Sequence, residues 1–325
     1  MATRISALTV ESLQVALAEA KARWHADDTS LMRLPEDQQR LRLGLIADEN
    51  RLAHLRAQPR PDLADVIAAA VDPRRIDGVA RQAAARAVKG LATARMQSVE
   101  RPWAAGRLFW PVFRVDWRDR SGLNAITPVR NQGACCCCVA FSSVASLESM
   151  VLIEHNVSLD LSEAELNFCG GGNCVGWWID PALAYIRTHG VGQEGCFPYQ
   201  DHLMPCRTCP ARDAEAITIS NTSVLFDLGQ RKDYLALVGP MIGVMTVYSD
   251  LFAYGGGVYH HVTGPRVGAQ SVEVIGYDDF QGCWFGKNSW GTGWGEAGFI
   301  RIAYGDCDID SGFPFWGVQG TRWLS

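Results

Sequence analysis

Apolar positions give the chain two textures. In the first hundred residues they recur at helical spacing. Thr9 can cap a helix over residues 9–24, with Leu13, Leu17 and Ala20 on one side. Leu41, Leu45 and Leu52 mark a second helix over residues 37–56, which Pro59 and Pro61 close. Residues 67–96 are again helix-prone, with breaks at Asp72-Pro73 and Gly90. From Val115 onward the apolar runs shorten, and glycines and aromatics multiply. Residues 138–153 form the one long helical pattern there, with Val144, Leu147 and Val151 on a stripe. A shorter helix over 180–189 stops at Gly190. Beyond residue 216 the period shortens, predicting strands at 243–248, 271–277, 283–287 and 298–304. Helices followed by strands predict an α+β domain with two lobes.

Composition adds a division at the same place. All eleven cysteines lie beyond residue 134, in 325 residues whose net charge is −5. That charge gives no reason to expect a nucleic-acid partner. Residues 1–102 carry a net +3 and the remainder −8, so the front part can dock on the back part by complementary potential. No leader peptide and no run of roughly 18 apolar residues is evident, so the expected setting is cytoplasmic, with no membrane partner. The clustered cysteines point the other way, toward disulfides, a metal site or thiol chemistry, and their odd number leaves one thiol unpaired.

Chemistry concentrates in Asn131-Gln132-Gly133-Ala134-Cys135-Cys136-Cys137-Cys138-Val139-Ala140-Phe141-Ser142. Cys138 opens the long helix, whose N-terminus favours negative charge, so its thiol is expected below the ordinary pKa. Gln132, six residues earlier, can supply an N–H to an oxyanion hole. Leu161-Ser162-Glu163-Ala164-Glu165-Leu166 precedes Cys169 and Cys174-Val175-Gly176-Trp177-Trp178. Near the C-terminus stands Gly286-Lys287-Asn288-Ser289-Trp290-Gly291-Thr292-Gly293-Trp294-Gly295-Glu296.

These stretches resemble the papain family of cysteine peptidases over about 210 residues. The resemblance implies a helical lobe and an antiparallel barrel-like lobe in residues 103–325, preceded by a helical propeptide-like or regulatory region in residues 1–102 that docks on its own catalytic domain. It assigns Cys138 as nucleophile, Gln132 to the oxyanion hole, Asn288 as the group that orients the catalytic imidazole, and Trp290 as the shield over that bond. It pairs Cys135 with Cys174, and Cys169 with Cys206 or Cys209. Gly176 and Trp177 fall where the family presents backbone to the substrate, and an indole at Trp177 would narrow the groove.

One element departs. Where the family has His-Ala-Val-x-x-Val-Gly-Tyr, this chain reads Gln270-Ser271-Val272-Glu273-Val274-Ile275-Gly276-Tyr277. Gln270 cannot exchange a proton near neutral pH, although it can bond Asn288 and hold the thiol in place. His260 and His261 read as a structural pair at a strand end, and Glu273 as an alternative base on the far face of its strand. Cys137 is a candidate resolving or acyl-relay group. The leading expectation is a thiol enzyme that takes a peptide or acyl substrate through an acyl-thioester at Cys138, with altered peptidase activity or acyl transfer and no cofactor or metal. Two alternatives stay open: an inactive papain-like binding protein, and a metal- or redox-active thiol protein built on Cys135 to Cys138.

Overall fold

The computed structural model describes residues 8–45, 49–58, 66, 112–120 and 122–324. In chain order the first elements are α1 (Val10–Glu19), β1 (Trp24–Ala26), α2 (Glu36–Arg40) and α3 (Glu49–Ala57). Thr9 caps α1 as expected, with reciprocal bonds to Ser12. The helix expected over 37–56 is instead two helices, the first ended by a turn at Leu41 and Arg42. Beyond that turn the chain lies on the second part of the molecule, where Leu45 forms a parallel bridge with Trp177. The expected helix at 67–96 and the boundary at 102/103 lie outside the described residues.

The second part begins with β2 (Arg114–Asp116) and α4 (Cys138–His155). Every residue of α4 from Cys138 to Val151 is buried, as befits a helix enclosed on all sides. Its length and composition would suit a membrane span, but 78% of it is buried inside the protein, the position of a core helix. Ser142, Ser146 and Ser149 fall on one stripe of it, and Ser142 and Ser149 bond Ser271 and Glu273 on a facing strand. Then come α5 (Ile179–His189), α6 (Arg212–Glu215), β3 (Ile217–Leu225), α7 (Leu228–Leu237), β4 (Met241–Tyr248), β5 (Tyr254–Tyr259), β6 (Arg266–Asp278), β7 (Cys283–Lys287), β8 (Phe299–Ala303) and β9 (Phe315–Trp323). Gly190 ends α5 at φ 69°, a conformation glycine adopts without strain.

The strands form one sheet in the order β1-β5-β8-β7-β6-β4-β9-β3, with β2 also pairing β6. Its pairings are antiparallel except β5 with β8. Helices on one side and this curled sheet on the other give the expected two-lobed α+β architecture, with α4 between the lobes. The N-terminal segment is built into it: β1 extends the sheet by pairing β5, and the Trp24 indole donates to the His260 carbonyl at 2.9 Å.

Three disulfides stand in the cysteine-rich part: Cys135–Cys174 and Cys169–Cys206 as the resemblance implied, and Cys196–Cys209 in addition. They overturn the cytoplasmic expectation, because a reducing cytosol does not sustain three structural disulfides. They also take Cys135 out of the thiol run considered for a metal or redox site, and a four-thiolate site that joins that run to Cys206 and Cys209 is not formed. Cys135, Cys206 and Cys209 are all oxidised, and no group of three His, Cys, Asp or Glu side chains among the described residues is arranged to hold a metal.

Candidate active site

Cys138 sits at the first turn of α4, completely buried, and its sulfur accepts the Ser271 N–H at 3.3 Å. The Gly44 and Val139 N–H groups also point at it. Gln270 lies on β6 beside Ser271, fully buried. Its amide nitrogen is 2.8 Å from Asn288 Oδ1 and 3.0 Å from Gln132 Oε1. Turning the amide by 180° aims its nitrogen at the Arg42 carbonyl, 2.9 Å away, and its oxygen at the Trp290 indole N–H, 3.1 Å away. The fold thus brings Cys138, Gln132, Gln270, Asn288 and Trp290 together, as the motifs implied.

Their chemical state differs from the expectation. The Cys138 thiol is not lowered; burial pushes it up to about 12, against the opposing backbone N–H bonds. The N-terminal segment adds to that burial. Residues 41–45 cross directly over the helix start: the Trp177 N–H donates to the Gly44 carbonyl at 2.9 Å, the Trp290 indole N–H donates to the Arg42 carbonyl at 3.1 Å, and the Cys136 thiol donates to the Leu41 carbonyl at 3.2 Å. A Cβ on Gly44 would lie 2.2 Å from the Cys136 carbonyl oxygen, so the approach needs glycine. Desolvation under this cover outweighs the field of the helix end.

Gln132 is also occupied. Its Nε2 donates to the Cys135 carbonyl at 2.9 Å, and its Oε1 accepts from Ser289 Oγ at 2.7 Å. Cys137 turns away from Cys138 into a cluster with Cys135, Cys174, Phe141 and Phe168, its sulfur 3.1 Å from the Tyr199 hydroxyl, so its geometry gives no support to a relay. The Trp177 indole folds against Gly170 and Gly172 while its backbone faces the cleft. His261 behaves structurally, stacked on Tyr248 at 3.7 Å and 3.2 Å from Asp250. Glu273 is buried on the far side of β6, bonded by Ser149 Oγ at 2.6 Å and 3.5 Å from Lys287 Nζ.

Sequence reasoning missed the segment 41–45 and the polar chamber behind the site. Gly44, which interrupts the leucines of the expected helix, was the available signal for the first. The chamber, between α4 and β7, is lined by Glu148, Glu163 and Lys287, with Glu273 on the other side of Lys287; burial pushes Glu148 up to about 7, and Glu163 and Glu273 also rise.

Residues 112–314 match the family described as papain family cysteine protease. The chain belongs to that family. Ananain of Ananas comosus is 34% identical over 209 residues, covering 63% of this chain and 58% of that protein. Pro-cathepsin H of Mus musculus is 33% identical over 202 residues, covering 59% of this chain and 60% of that protein. The chain thus spans about three-fifths of the length of the curated relatives it matches. Among solved structures, a procathepsin B from Trypanosoma congolense aligns with a TM-score of 0.70 at 21% identity, over 96% of this chain and 98% of that one. This papain-family chain therefore shares the fold of a proenzyme, with an N-terminal segment docked on its own catalytic domain.

Proposed function

We propose that this protein is a papain-family thiol enzyme, kept closed by its own N-terminal region, that takes peptide acyl groups on Cys138 but hydrolyses peptide bonds weakly. Residues 1–102 act as the propeptide-like region and 103–325 as the enzyme domain. Cys138 is the nucleophile, Gln132 the oxyanion-hole donor once it is released from Cys135, and Gln270 and Asn288 the amide pair beside the thiol. Gly176 and Trp177 offer backbone to the substrate, and Trp290 covers the Gln270–Asn288 contact.

One observation carries the reading. Among the described residues, the hydrogen bonds that reach the Cys138 sulfur come from backbone N–H groups, and the side chain at the family's histidine position is a carboxamide. A carboxamide cannot accept the thiol proton or return it to a leaving amine, so amide cleavage loses its acid and base. A thioester donor has a better leaving group and needs no such proton, which favours acyl transfer from activated donors.

The test compares wild type, Cys138→Ala and Gln270→His by intact-mass spectrometry after exposure to a papain-type epoxide and to a peptide thioester, before and after limited proteolysis of the N-terminal region. A single adduct that requires Cys138 in wild type is the expected result. Labelling confined to Gln270→His would instead favour a binding protein, the reading consistent with a thiol raised to about 12.

A further inference from the structure

The segment that closes the cleft carries one arginine into it. Leu41 and Arg42 form the turn that ends α2, and the chain then runs on through Leu43 and Gly44 to Leu45. Leu43 packs toward β6, close enough that a Cβ on Gly268 would lie 2.8 Å from its Cδ1. Arg42 points the other way and donates from Nη1 to Asn131 Oδ1 at 3.1 Å. Beyond Asn131 opens a recess of about 440 Å³ lined by Asn131, Gly133, Tyr199, Gln200, Asp201 and His202.

Asp201 is held at this recess. Its Oδ2 accepts the Ala134 N–H at 3.3 Å, and its carboxylate lies over Gly133, where a Cβ would come within 2.3 Å of it. Gly133 is at φ 55°, so both its conformation and the carboxylate above it require glycine. Tyr199 forms the back wall, its hydroxyl donating to the Gln132 carbonyl at 2.7 Å. Burial lowers the Arg42 guanidinium, and the negative charge of Asp201 acts against that lowering without a direct ion pair.

We infer that Asn131 and Asp201 form a subsite for a basic side chain, arginine or lysine, on the peptide that replaces residues 41–45, with Arg42 as its present occupant. The inference rests on the proposed peptide-binding cleft and names its substrate class. The carboxylate supplies charge selection, Asn131 a directed acceptor, and the open recess admits a chain longer than leucine. Leu43 against Gly268 sets an apolar requirement on the opposite side of the same peptide.

A charge-swap cycle on the full chain tests this without relying on thiol chemistry. Hydrogen exchange of residues 41–45 is measured in wild type, Arg42→Asp, Asp201→Arg and the double variant. Each single variant should open the segment about five-fold more often, a size set by opposite charges facing each other across a partly exposed recess, and the double variant should recover most of the loss. The single-variant effects should shrink at about 1 M salt. Failure of the double variant to recover exchange, with circular dichroism unchanged, would overturn the subsite. A parallel measurement compares Cys138 labelling by epoxides bearing arginine or norleucine. Faster labelling by arginine that Asp201→Arg abolishes supports the subsite, and equal labelling overturns it. Protein that shows the exchange cycle but reacts with neither epoxide keeps the subsite and refutes the thiol-enzyme reading.

Discussion

The Gln270 amide nitrogen lies 2.8 Å from Asn288 Oδ1, so a bond that would orient an imidazole in the papain family here joins two carboxamides. Both side chains are buried, and Trp290 lies beside them, its indole N–H within 3.1 Å of the Gln270 amide. Gln270 can hydrogen-bond at this position, but it cannot exchange a proton near neutral pH.

Replacing Gln270 by histidine should restore that chemistry. In Gln270→His with the N-terminal region removed, peptide hydrolysis should rise by at least about 100-fold, the usual contribution of a positioned acid–base group. The pH profile of Cys138 alkylation should also shift to lower pH as an imidazolium stabilises the thiolate. An unchanged profile would mean that the lobes do not place residue 270 against the thiol.

Gly44 permits the closest approach of the covering segment. Gly44→Ala puts a methyl group 2.2 Å from the Cys136 carbonyl oxygen, too close for backbone to yield cheaply. Iodoacetamide should then modify Cys138 about ten-fold faster in the full chain. Equal rates for Gly44→Ala and wild type would show that burial of the thiol has another cause.

The chamber behind α4 should make stability fall toward neutral pH. Glu148 accepts from Thr127 Oγ1 at 2.6 Å and from the Leu161 N–H at 2.8 Å, yet burial raises it to about 7 from an unfolded value near ~4.3. The folded state therefore holds this proton more tightly. Its stabilisation is full below about pH 4 and is lost as pH rises through about 7. Thermal melts from pH 4 to 8 should show the midpoint falling across that window in wild type and less steeply in Glu148→Gln. The same slope in both would remove Glu148 as its source.

The disulfides should differ in weight. Cys135 and Cys174 are 39 residues apart and Cys196 and Cys209 are 13 apart. Chain entropy alone puts roughly 1 kcal/mol between the two loops. Cys174→Ser should therefore lower the melting temperature more than Cys209→Ser, read by calorimetry under non-reducing conditions. It should also loosen the start of α4, raising the rate of Cys138 alkylation.

The sequence by itself determined the two-lobed fold, the helix that begins at Cys138, and the presence of a non-titrating Gln270 in a motif separate from that of Asn288 and Trp290. Each is carried by a run of residues close in the chain, and local runs specify helix starts, strand periods and turns directly. Only the tertiary structure decided what those residues experience. Residues 41–45 lie roughly 95 positions before Cys138, so nothing in the motif around Cys138 shows that they cover the start of its helix, where burial reverses the shift expected at a helix end. The same holds for Cys137, drawn to Tyr199, and for the Trp177 indole, drawn to Gly170 and Gly172. Ionisation and side-chain direction follow from desolvation and packing against distant parts of the chain, and these exist only once the lobes and the N-terminal segment have come together.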